Sequence, residues 1–288
     1  MPDPVTHTLD VPGANLTYDV RGDLSERDQP VLLLIGSPMG ASGFPTLASY
    51  FTDRTVVTYD PRGVERSVRT DGSGELSPDD HAADLVALIE ALDAGPVEVF
   101  ASSGGAVNGL ALAARRPDLV RRLVAHEPPL ASLVPDREAA LAACEDICQT
   151  YQRDGMGPAM AKFIAITGYQ GEIPTDYTEQ PAPDPAMFGL PTEDDGSRDD
   201  ALLGQNLRRC TSYQPDFDAL AKASDRIVIA VGVESEGQLA RRGGEAVAER
   251  LGTTPVVFPS NHGGFLGDEY GMPGKPKEFA ERLREVLG

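Results

Sequence analysis

Lysine is nearly missing from this chain of 288 residues, occurring only at Lys162, Lys222, Lys275 and Lys277. Lysine and arginine together number 25 against 45 aspartates and glutamates, which gives a formal charge of −20. A surface of that sign repels phosphate backbones and anionic lipid, so neither nucleic acid nor a membrane is expected as a partner. Solubility is the ordinary use of such charge. Cysteine is scarce too. Cys144, Cys148 and Cys210 cannot close into a disulfide set, and a reducing cytoplasm is the expected location. The histidines are His7, His81, His126 and His262, and no Cys/His spacing resembles a zinc site, so no metal or other cofactor is expected. No run of eighteen apolar residues exists to span a membrane. The opening MPDPVTHTLD lacks the basic start and apolar core of a signal peptide. No G-x-G-x-x-G or P-loop follows an apolar run, which argues against nucleotide binding.

What is present is a soluble-type composition, 41% hydrophobic and 24% charged, with length for one core and an inserted subdomain. Residues 5–22 predict a hairpin around Pro12-Gly13. VLLLIG at 31–36 is apolar without alternation, the mark of a strand covered on both faces. TVVTYD (55–60), VEVF (97–100), LVAH (123–126), IVIAVG (227–232) and PVVF (255–258) are similar. Helical patterns lie between them. The one at 77–92 opens on a capping box of Ser77 and Asp80 with Pro78 between, and places His81 on the surface of its first turn. Strands alternating with helices predict an α/β fold, a mostly parallel central sheet flanked by helices on both faces. The alternation stops between about 131 and 215. That stretch is helical first, then punctuated by Pro174, Pro181, Pro183, Pro185 and Pro191. It is expected to be a cap inserted into a core made of 1–130 and 216–288.

The stretch VEVFASSGGAVNGL, 97–110, carries two serines where a strand turns into a helix. Such a sharp turn needs small residues two before and two after its apex. Centred on Ser103 the flanks are Ala101 and Gly105; centred on Ser102 one flank is Phe100, which is too large. Ser103 is therefore the expected apex, in strained backbone of the kind that gathers at functional sites.

A-S-S-G-G resembles the nucleophile elbow of the α/β-hydrolase family, with Ala101 replacing the commoner first glycine. VLLLIGSPMG resembles the family's His-Gly-x-Pro segment, with Ile35 at the histidine's place. YDPRGVERS, 59–67, resembles its Asp-x-Arg-Gly turn, with Asp60 and Arg62 structural. FPSNHGGF, 258–265, follows the last strand, where the family keeps its histidine. The resemblance implies Ser103 as nucleophile, His262 as base, and the backbone N–H groups of Ser37 and Gly104 as oxyanion donors. The triad acid is open between two glutamates. Glu234 lies in GVESE after the penultimate strand, the family's usual place, and is preferred, although Ser235 occupies the usual position. Glu127 in AHEPPL, at the end of an earlier strand, is the alternative. Glu236, Asp268 and Glu269 are expected to be solvated.

The resulting expectation is a cofactor-independent serine hydrolase acting on a small-molecule carboxylic ester or lactone, as a monomer or homodimer. The same triad would serve a C–C bond hydrolase or an acyltransferase, and a binding protein without turnover is the alternative of another class. Met156, Met160, Phe163, Ile164, Met187 and Phe188 are candidates for the cap's inner lining or for its own core. Arg208 and Arg209 are candidates for a substrate carboxylate or for solvated charge.

Overall fold

The computed structural model describes residues 3–25, 28–72, 74–271 and 273–288; the first two residues of the N-terminal stretch lie outside these. The strands are β1 Val5–Val11, β2 Ala14–Arg21, β3 Leu32–Ile35, β4 Val56–Asp60, β5 Val68–Arg69, β6 Val97–Ser102, β7 Val120–His126, β8 Ile227–Gly232 and β9 Val256–Phe258. Among the described residues they form one sheet in the order β1-β2-β4-β3-β6-β7-β8-β9, with β5 also on β2. The hairpin β1/β2 and the pair β2/β4 are antiparallel; every pairing from β4 through β3, β6, β7 and β8 to β9 is parallel. The helices are α1 Pro45–Ser49, α2 Pro78–Leu92, α3 Gly104–Arg115, α4 Arg137–Asp154, α5 Met156–Gly168, α6 Leu207–Thr211, α7 Phe217–Ala221, α8 Leu239–Leu251 and α9 Pro276–Leu287.

The unbroken apolar run at β3 is explained by its two neighbours. Side chains alternate across a strand. Leu33 and Ile35 enter the core cluster shared with α2, α3 and α8, while Leu32 and Leu34 enter the one shared with α1 and α9. Both faces are buried, so neither parity tolerates a polar residue. Polar residues do close two of the neighbouring strands at their carboxyl ends. There Ser102 closes the row of Phe100, and His126 closes the row of Val124 on the next strand.

Helix α2 starts as its sequence dictates. Ser77 Oγ accepts from Asp80 N–H, and the Asp80 carboxylate accepts from Ser77 N–H at 2.9 Å. His81, however, is only 1% exposed, which corrects the surface placement. Its Nε2 lies 2.7 Å from Asn206 Oδ1, because the segment leading into α6 crosses over the first turn of α2. Leu76 N–H donates to the Gln205 carbonyl in the same crossing.

Asp60, at the end of β4, is fully buried and accepts from Ala41 N–H at 2.8 Å and Arg66 Nε at 2.6 Å. Arg62 grips buried Asp84 of α2 through Nε at 2.7 Å and a second nitrogen at 2.5 Å. Asp60 thus fastens the loops after β3 and β4 to the sheet, and Arg62 fastens the second of them to α2.

Between β7 and β8 the chain leaves the sheet. Helices α4 and α5 and the segment around α6 build a separate apolar cluster that includes Ile147, Tyr151, Ala159, Ile166, Leu203 and Leu207.

Candidate active site

The site is assembled at the carboxyl edge of the sheet. Ser103 stands between the last residue of β6 and the first of α3 with φ 57° and ψ −128°. That conformation costs a residue with a side chain about 1–3 kcal/mol. The turn is held from both sides. Ser103 N–H donates to the His126 carbonyl at 2.9 Å. On the helix side a Cβ at Gly105 would lie 2.6 Å from the Ile35 carbonyl oxygen and 2.8 Å from Gly36 Cα. Only glycine permits that approach of α3 to the end of β3. Ser37 lies against the same turn, its carbonyl oxygen 2.5 Å from where a Gly104 Cβ would be.

Ser102 is only 2% exposed and its hydroxyl lies 3.2 Å from His126 Nδ1. The two serines are thus separated by environment: Ser103 is partly open, and Ser102 is sealed into the sheet.

Glu127 follows β7 at once, with φ 48°. It is fully buried, and both carboxylate oxygens accept hydrogen bonds. Gly232 N–H donates to Oε1 at 2.8 Å, and His262 Nδ1 donates to Oε2 at 2.6 Å. Burial pushes the Glu127 pKa up. The bond from His262, the charges of His126 and His262, and the bond from Gly232 more than offset it and hold the carboxyl down at about 2. A carboxylate that accepts on Nδ1 fixes the proton there, leaving Nε2 as the basic nitrogen of the neutral ring. His262 itself sits on the loop after β9, its side chain 39% exposed.

Glu234, the preferred acid, is not in this arrangement. Residues Val233–Ser235 form a single 3-10 turn after β8 that buries Ser235 and sends Glu234 outward. There Glu234 pairs with Lys275 at 2.5 Å and accepts from Ser260 Oγ at 3.4 Å. The structure brings Glu127, the alternative, to His262 instead. Glu236 and Asp268 are exposed as expected. Glu269 is not merely solvated, since it accepts from Thr46 N–H at 2.8 Å and Gly267 N–H at 2.6 Å.

One residue of the site was not anticipated. His126 is fully buried among Phe100, Phe258, Phe265 and Phe279, and its ring faces that of His262 at 6.0 Å with 27° between planes. Burial, only partly offset by the charge of Glu127, pushes its pKa down to about 4. Its Nε2 has no hydrogen-bond partner, at a cost of about 1–3 kcal/mol. The signal in the sequence was the pair of polar residues closing two adjacent apolar strands.

A protein of Bacillus subtilis (strain 168), described as the uncharacterized hydrolase YraK, is 31% identical over 288 residues, spanning 97% of this chain and 95% of that one. The chain belongs to the α/β-hydrolase fold family. The family model described as alpha/beta hydrolase fold matches residues 29–155 of this hydrolase. Its architecture is similar to a thermophilic esterase from Thermogutta terrifontis, with TM-score 0.67 at 19% identity over 99% of this chain and 98% of that one. It is also similar to the enol-lactonase from Burkholderia xenovorans, with TM-score 0.66 at 18% identity over 98% and 99%.

In this α/β hydrolase, Met156, Met160 and Phe163 pack on the insertion's own core, whereas Met187 and Phe188 are exposed. Arg208 pairs with Glu145 and Glu75, and Arg209 with Glu75, so both are engaged by carboxylates of the chain. Cavities of about 290 and 320 Å³ lie elsewhere, beside Arg137 and Arg250 and beside Gln152 and Arg198. Ser103 and His262 line neither. Among the described residues no cluster of His, Cys, Asp and Glu is arranged to hold a metal ion, and no helix is long and apolar enough to cross a membrane.

Proposed function

We propose that this hydrolase is a cofactor-independent serine hydrolase that cleaves a small-molecule carboxylic ester or lactone through an acyl-enzyme. The observation that carries the reading is the 2.6 Å bond from His262 to buried Glu127, beside a strained serine turn. Ser103 Oγ attacks the carbonyl carbon, and its proton passes to His262 Nε2. Glu127 stays ionised and stabilises the imidazolium so formed. The oxyanion is held by the N–H groups of Ser37 and Gly104, each contributing about 3–4 kcal/mol in sites of this kind. Collapse of the tetrahedral intermediate expels the alkoxide, which takes the proton from His262. Water then attacks the acyl-enzyme with His262 as base, and the carboxylic acid leaves.

The insertion 131–215 serves as the cap over this cleft and sets the choice of substrate. The esterase and the enol-lactonase of like fold carry chemistry of the same kind in their names. The acidic surface fits an uncharged small molecule as substrate better than nucleic acid. The test is acid release, followed by pH-stat, from a panel of esters and lactones by wild type, Ser103→Ala and His262→Ala. Turnover by wild type and its loss in both variants is expected. Turnover that survives Ser103→Ala contradicts the assignment.

A further inference from the structure

We propose that His126 is a positioning residue for the reaction: its ring, tethered by Ser102, is the wall that holds the His262 imidazole in its working orientation beside Ser103. The proposal rests on the serine-hydrolase reading.

His126 adjoins all three members of the site. Its carbonyl accepts from Ser103 N–H at 2.9 Å, the next residue is Glu127, and its ring lies along that of His262 at 6.0 Å. The ring itself has little freedom. Ser102 Oγ holds Nδ1 at 3.2 Å, and the Phe279 ring stands perpendicular to it at 5.3 Å. Packing alone does not account for an imidazole here. Nε2 is buried without a partner in a nest of phenylalanines, a cost that a phenyl ring would not carry at that position. What the imidazole adds is a hydrogen-bonding handle. Ser102 can fix the plane of a histidine, but it has nothing to hold on a phenylalanine. Neutrality matters as well, because a second cation would oppose the imidazolium that forms on His262. The polar and titratable groups facing His126 in the structure are Ser102, Glu127 and His262. Their arrangement leaves His262 as the one ring bonded to the carboxylate.

The test uses the full chain with His126→Phe, Ser102→Ala and the double variant. The readouts are kcat and KM on p-nitrophenyl acetate, and the low-field proton resonance of the His262–Glu127 bond. Each single variant should lower kcat, His126→Phe by about tenfold to a hundredfold, with KM held within about twofold. The double variant should be no worse than His126→Phe, since both break one tether. The resonance should shift or broaden in all three. Wild-type kcat with an unmoved resonance in both single variants overturns the proposal. If His126→Phe does not fold, Ser102→Ala decides by the same criteria. Wild type that turns over no better than Ser103→Ala removes the serine-hydrolase reading and this proposal with it.

Discussion

Exchanging Glu127 for glutamine replaces one carboxylate oxygen with an NH₂ group and should disable the enzyme. Both carboxylate oxygens accept, from Gly232 N–H at 2.8 Å and from His262 Nδ1 at 2.6 Å. An amide has one acceptor. If its oxygen stays with Gly232, its NH₂ faces His262. The imidazole must then accept at Nδ1 and carry its proton on Nε2, the wrong tautomer for a base. If the amide turns over, its NH₂ faces Gly232 N–H and a buried donor is left unsatisfied, at about 1–3 kcal/mol. The first arrangement is the cheaper, and it removes the base. The equivalent exchange in serine proteases lowers kcat about 10⁴-fold, which corresponds to about 5 kcal/mol of barrier. The assay is steady-state ester hydrolysis by Glu127→Gln and Glu234→Gln, with circular dichroism to establish that both fold. Glu234→Gln should stay within about twofold of wild type, because it removes only an exposed pair with Lys275. A Glu127→Gln enzyme within tenfold of wild type, or an equal loss in Glu234→Gln, would refute the reasoning.

Three further outcomes follow from the same geometry. Burial holds His126 near 4, below its ordinary 6.5, so between those values the unfolded chain binds a proton that the folded one does not. Its contribution is full above pH 6.5 and lost as pH falls to 4, about 3 kcal/mol in all. Urea unfolding at pH 7 and pH 5 should therefore show a smaller acid loss in His126→Phe than in wild type; equal losses contradict it. Arg62→Ala strands the buried Asp84 carboxylate and should cost about 3–5 kcal/mol, read from urea midpoints; a loss below 1 kcal/mol argues against a structural anchor. Gly105→Ala drives a methyl into the backbone at Ile35 and Gly36, which cannot swing aside. A loss of about 1–3 kcal/mol is expected, together with slower ester hydrolysis as the turn shifts. Unchanged unfolding and activity would mean the helix is free to move.

What the sequence made legible was set by short-range patterns. The run at 31–36 has no polar position because both of its faces are covered, and that is visible without coordinates. The choice of Ser103 over Ser102 followed from the sizes of Ala101, Phe100 and Gly105 alone, and the positive φ falls on Ser103. The acid was harder. Glu127 and Glu234 both follow strand ends, and what separates them is the 3-10 turn at Val233–Ser235, which turns Ser235 inward and Glu234 outward. No local pattern announced that rotation. His81 is buried by Asn206, 125 residues further along, and a helix read in isolation cannot see such a cover. By its local pattern His126 is the end of an ordinary strand, because its partners, Ser102 and His262, come from two other segments.

The central claim is that Ser103 is an activated nucleophile, and covalent labelling tests it most directly. Wild type, Ser103→Ala and Ser102→Ala would each be treated with a fluorophosphonate and weighed intact. One adduct on wild type and on Ser102→Ala, absent from Ser103→Ala, is the predicted result. An unlabelled wild type, or an adduct that survives in Ser103→Ala, would contradict the account.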